Sequence, residues 1–192
     1  GQATASLGYL DVGQLLSLNF RHDAAPYDGS TPEVKALLAS TGAMIISPES
    51  FALTLPPNHD CSTEDHTCSR FTTAGSNFSH TISARCAGPS GTLGPVARPY
   101  RGNVGLTHTL KAPSGGSPGT LRRASVSLTS VHNGQIVTPD QALSEVGVFG
   151  LDASPQAYFG VNYTSVQTIV GRIYPAFLSV EGSTPMLQTT SS

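Results

Sequence analysis

The sequence has no tryptophan, only two lysines among 192 residues, and charged side chains at just 11%, less than half the ~25% usual for soluble domains. Each shortage removes a class of function. Ten basic against twelve acidic residues leave a formal net charge of −2. That balance offers no basic surface to neutralise phosphates, so nucleic acid is not an expected partner. No apolar run reaches the roughly 18 residues that cross a bilayer as a helix, which argues against membrane insertion. Seven Phe and six Tyr form no patterned platform for stacking sugar rings, which weakens a lectin reading without removing it. Heptads and fixed-period repeats are absent too, so neither a coiled coil nor a solenoid organises the chain.

What is present is enough for a core. Hydrophobic residues make up 38% and glycine adds 20 more positions, an ordinary apolar share for a globular chain. Polarity is carried by hydroxyls, with 24 Ser and 20 Thr. Length predicts one β-rich domain over residues 1–192.

Three features predict a secreted or cell-surface location. Numbering from Gly1 rather than a Met reads as a processed chain. Two acceptor sequons for N-glycosylation occur, Asn77-Phe78-Ser79 and Asn162-Tyr163-Thr164. Cys61 and Cys68 lie seven apart in a polar loop opened by Pro56-Pro57, the spacing of a small-loop disulfide in an oxidising compartment. Cys86 is then either a buried small hydrophobe or the true partner of one of the other two.

Period-two alternation dominates and predicts an all-β fold, a sandwich or barrel-like domain. Ala3, Ala5, Leu7 and Tyr9 alternate with small polar residues, and Leu16, Leu18 and Phe20 repeat the pattern. Further strands are expected at 43–47, 51–55, 78–86, 104–110, 121–131, 135–137, 146–151, 158–163 and 166–180, with Pro175 marking an edge or a break. Asn133-Gly134 suits a type I′ turn joining 121–131 to 135–137 as a hairpin. Two segments carry helix-start signals. Ser30-Thr31-Pro32-Glu33 precedes Val34, Leu37 and Leu38 with Gly42 as the stop, and Thr138-Pro139-Asp140-Gln141 precedes Ala142, Leu143 and Val146 with Gly147 as the stop. Both predict short connecting helices. The Gly- and Pro-dense stretch 87–119 reads as long surface loops around one short strand.

The sharpest local chemistry is the loop holding His59, Asp60, Cys61, Glu64, Asp65, His66 and Cys68. His59-x-Cys61 with His66-x-Cys68 offers donors that zinc accepts, although a one-residue gap points neighbours to opposite sides of an extended chain. Disulfide is favoured over metal. The carboxylates lack the alternating spacing that wraps calcium. Gly115-Gly116-Ser117-Pro118-Gly119 matches the hydrolase elbow pattern but fails, because Pro118 has no N–H to contribute to an oxyanion hole. His80 and His108 in β-like runs are expected to be hydrogen-bonded structural residues, and His22 and His132 have no partner spacing. Asp23 and Asp28 around Pro26-Tyr27, with Arg21 and His22, could line a polar cleft or a simple turn. Arg122-Arg123-Ala124-Ser125 resembles a kinase target, a match too common to count.

No catalytic constellation emerges, and neither an enzyme nor a cofactor is expected. The favoured reading is a structural subunit of an extracellular or surface assembly, a pilus-like filament, surface layer or capsid. Its subunits would form a homo-oligomer or polymer by exchanging the N-terminal strand at residues 1–9, with Ala3, Ala5, Leu7 and Tyr9 entering a neighbour's groove. The alternative is a secreted adhesin or carbohydrate-binding β-sandwich that uses the 87–119 loops. A metal-dependent enzyme built on the His/Cys loop ranks third.

Overall fold

A computed structural model of the protein describes residues 4, 12–22, 37–42 and 44–179. The fold is nearly all β, with curled sheets forming a half-barrel. The expected β-sandwich or barrel-like class is therefore the observed one. In chain order the first strands are β1 (Gly13–Leu16), β2 (Asn19–His22), β3 (Leu37–Ser40), β4 (Met44–Ile46), β5 (Ser50–Thr54), β6 (Thr72–Thr73) and β7 (Phe78–Ala87). They are followed by β8 (Leu93–Val96), β9 (Gly102–Ala112), β10 (Ser125–Leu128), β11 (Gln135–Gln141), β12 (Gly147–Pro155) and β13 (Val166–Tyr174). Two single-turn 3-10 helices, Pro89–Gly91 and Ser130–His132, are the helical elements among the described residues. No helix there is long and apolar enough to cross a membrane.

The main body is two sheets facing each other. One runs β10-β9-β12-β13-β6, and the other runs β11-β7-β5 with β8 beside β7. β1 pairs with β4 and β2 with β3 as two separate ribbons. β12 sits between β9 and β13 and carries Val148, Phe149, Gly150 and Leu151 as a continuous buried run. Burial on both faces is why its sequence shows apolar continuity rather than alternation. β7 is the counterpart with one buried face: Phe78, His80, Ile82, Ala84 and Cys86 point inward. Between the sheets, Phe51 packs edge-on against Tyr100 and Tyr163 with both centroids at 5.0 Å. Burial pushes the Tyr100 phenol up to about 12,.

Several local expectations are corrected. Leu37–Ser40 is a strand and not a helix, pairing Leu38 with Arg21 and Ala39 with Phe20; the start signal at 30–36 lies outside the described residues. Thr138 to Gln141 likewise belong to β11, and no helix follows before β12. Pro139 is accommodated at a register shift just after Thr138 pairs with His80, on a strand at the end of its sheet. There a missing N–H costs no ladder bond. Asn133 and Gly134 do take positive φ, 48° and 74°, but the hairpin does not form. β10 pairs with β9 and β11 with β7, so the turn carries the chain from one sheet to the other. The stretch 87–119 holds β8 and the eleven-residue β9, more regular than a loop region. The expected strand 158–163 is reduced to one bridge, Tyr158 to Val161. β13 stops at Tyr174, immediately before Pro175.

Candidate functional site

The Cys61–Cys68 disulfide is formed, with Cα atoms 5.3 Å apart, and both residues are buried against Val148. Cys86, outside this bond, is buried in the core. Inside the loop the Asp65 Oδ1 accepts from the Thr67 hydroxyl at 2.6 Å, the Thr67 N–H at 2.8 Å and the Thr63 hydroxyl at 2.9 Å. These bonds, led by the Thr67 hydroxyl, hold the Asp65 carboxyl below the usual carboxylate range,. The loop is docked onto β13: Gly171 N–H donates to the His59 carbonyl at 2.6 Å, and Arg172 Nη1 donates to the His66 carbonyl at 2.7 Å. Gly171 is required because a Cβ there would run into the Cys61 side chain.

The bonded cysteines cannot act as thiolate ligands, and among the described residues no three His, Cys, Asp or Glu gather to hold a metal ion. His59 is turned to the Pro56 carbonyl at 2.6 Å. Asp60 and Glu64 are exposed.

Beside this loop lies a cleft of about 760 Å³. Its walls come from the loop (Asp65, His66, Arg70), from Ala112 and Pro113 at the end of β9, from Val146 to Val148 at the start of β12, and from Arg172 to Ala176. Most of that lining is apolar. Arg70 stands over the Tyr174 ring at 5.5 Å, and Arg172 has a buried Nε with no acceptor in the protein. Lys111 and Glu64, next in sequence to wall residues, pair with each other at 3.6 Å. A second, shallower opening of about 400 Å³ separates β10 from β11. It is pinned at one end by Arg123, which grips Asp140 through Nε at 2.8 Å and through Nη2.

Other sequence candidates are dispersed. His80 is buried with neither ring nitrogen hydrogen-bonded, which overturns the expectation of a satisfied histidine. His108 does have its partner, the Pro118 carbonyl at 2.8 Å, and His132 caps its 3-10 turn by accepting from Thr129 N–H. Ser117 lies in an exposed loop without strand or helix around it. Asn77 and Asn162 are both exposed, and Asn77 Oδ1 accepts from Arg122. Arg21 and His22 lie in β2. Ala3, Ala5, Leu7, Tyr9, Asp23, Pro26, Tyr27 and Asp28 lie outside the described residues. The cleft went unread in the sequence because four separated segments build it and none carries a motif.

Fold and site together define a disulfide-clasped β module of two facing sheets with a ligand-sized cleft at one end. Within that class, residues 47–138 match the family model for the second domain of DUF6701, and residues 145–191 match that for its third domain. No curated protein and no solved structure matches the chain. The two matched segments interleave: β9, from the first, pairs with β12, from the second, from Val104↔Pro155 to Ala112↔Val148.

Proposed function

We propose that the protein is a structural β module of an extracellular or surface assembly, exported and not an enzyme. The observation that carries this reading is the sharing of one sheet by two consecutive family segments, with the disulfide loop of the first packed on Val148 of the second. Such a unit is a rigid spacer, and its family models describe parts of a multidomain architecture. Two strand ends add support. Among the described residues, β10 and β11 each end a sheet, and an unpaired edge is what an exchanged strand from a neighbour requires. The exposed sequon residues Asn77 and Asn162 are accessible to a glycan in the same setting. The carbohydrate-binding alternative draws less support, since the cleft lining is apolar and sugar hydroxyls need several fixed polar partners.

Light scattering on the oxidised chain, with and without residues 1–9, tests the proposal. The full chain is expected to form a discrete oligomer or polymer and the shortened chain a folded monomer. A full chain that stays monomeric at about 1 mM, where even a contact of millimolar Kd is substantially populated, would refute assembly, and unchanged oligomers after truncation would refute strand exchange.

A further inference from the structure

The cleft beside the disulfide loop carries chemistry that a spacer does not need. Its volume of about 760 Å³ falls inside the range of small-molecule sites, roughly 300–1,000 Å³. Its walls are mostly side chains without polar atoms, yet two guanidinium groups line it, Arg70 and Arg172. Neither is in an ion pair among the described residues. The carboxylates nearby are already engaged. Asp65 accepts three hydrogen bonds from Thr63 and Thr67, and Glu64 faces Lys111. Arg172 also keeps a buried Nε–H without an acceptor.

We infer that the cleft binds a small aliphatic monocarboxylate. The head group lies at Arg172 and Arg70, and the hydrocarbon lies along Val148, Ile173, Pro113 and Ala176. A guanidinium presents parallel N–H donors that match the two oxygens of a carboxylate. A phosphate dianion fits poorly, because the cleft has no Lys among its lining residues and only two strong cationic donors. An extended peptide fits poorly as well. β13 is bonded to β12 on one side. On the other it is bonded to β6 at Ile173 and Tyr174, and to Ser69 and Phe71 at Arg172. Among the described residues no free strand edge therefore borders the cleft to receive a backbone. The inference is independent of whether the chain assembles.

Calorimetric titration of the oxidised full chain with decanoate, and with decan-1-ol as the neutral isostere, tests the assignment. One decanoate per chain is expected, binding at least tenfold more tightly than the alcohol, as charge-assisted pairing with Arg requires. Arg70→Gln and Arg172→Gln should each bring decanoate to within a few fold of the alcohol. Ala176→Phe, at an exposed wall position, should abolish binding of both. Arg172→Gln also removes the bond to the His66 carbonyl, so if that variant fails to fold, Arg70→Gln decides, because Arg70 is exposed and holds no loop bond. Three results would overturn the inference: no saturable decanoate heat, equal affinity for the alcohol, or affinity for decanoate unchanged in Arg70→Gln and Ala176→Phe.

Discussion

His80 shows what a single residue contributes and what its sequence context hides. It sits on the inward face of β7 opposite Thr138, 1% exposed, where alternation correctly places a buried side chain and says nothing about hydrogen bonds. Burial, with the charge of Arg123 adding and that of Asp140 opposing, lowers its pKa from 6.5. The folded protein therefore holds the ring neutral while the unfolded chain takes up a proton as pH falls through 6.5. The stability tied to this neutral ring is complete well above that value and is lost progressively as the pH falls through it. Urea unfolding at pH 7.5 and pH 5 should show this slope, and His80→Leu should remove it while preserving the fold. A variant with the parent's full pH dependence would mean that His80 is not the group responsible. Asn133-Gly134 is the opposite case: its positive φ values were readable locally, because few residues tolerate them, but the pairing around the turn was not.

Elements were legible where one periodicity ruled and were misread where a short-range signal competed with a distant partner. Strands β5 and β12 follow from short apolar runs, and β7 from alternation of inward and outward residues. Thr138-Pro139-Asp140-Gln141 carries a helix-start pattern, yet β7 recruits it into a sheet. Its Gln141 then completes the edge by accepting from Arg123 N–H and donating to Arg123 C=O, both at 3.0 Å. A cap contributes about 1 kcal/mol, less than the ladder and burial that replace it. The disulfide loop was readable because the short separation of Cys61 and Cys68 in a polar loop favours their pairing, although the sequence left Cys86 open as a partner. Its removal should be felt at the element scale. Closing so short a loop stabilises by about 2.5 kcal/mol in the chain-entropy model, so Cys61→Ser/Cys68→Ser should lower Tm by roughly 5–10 °C. Hydrogen exchange should speed up first at Gly171, whose N–H donates to the loop carbonyl of His59. Equal Tm values for the oxidised chain and the double variant would show that the loop is not coupled to the fold.

At the scale of the molecule, the two matched segments share one sheet. β12 belongs to the 145–191 segment, but its neighbours are β9 of the 47–138 segment on one edge and β13 on the other. The connection between the segments is also tied to the first of them, by the Leu121–Leu143 bridge and by Arg122 N–H donating to the Ala142 carbonyl. Cutting the chain in the short connection between β11 and β12, residues 142–146, would leave β9 with an open edge along Val104–Ala112. It would also strip cover from Val148, Phe149 and Leu151, each buried to within 2%. Side chains of this size contribute about 1.5–3 kcal/mol each on burial, comparable in sum to the whole stability of a domain. An open, long strand edge is moreover a template for aggregation. Expressed alone, residues 145–191 should therefore show no cooperative thermal transition, and residues 47–138 should aggregate. Expressed together as separate chains, they should copurify as a one-to-one complex with strand-like circular dichroism, because the β9–β12 ladder needs both partners and no covalent link between them. A monomeric 47–138 fragment that unfolds cooperatively would show instead that this segment folds without β12 and that the shared sheet is a docking contact between two finished domains.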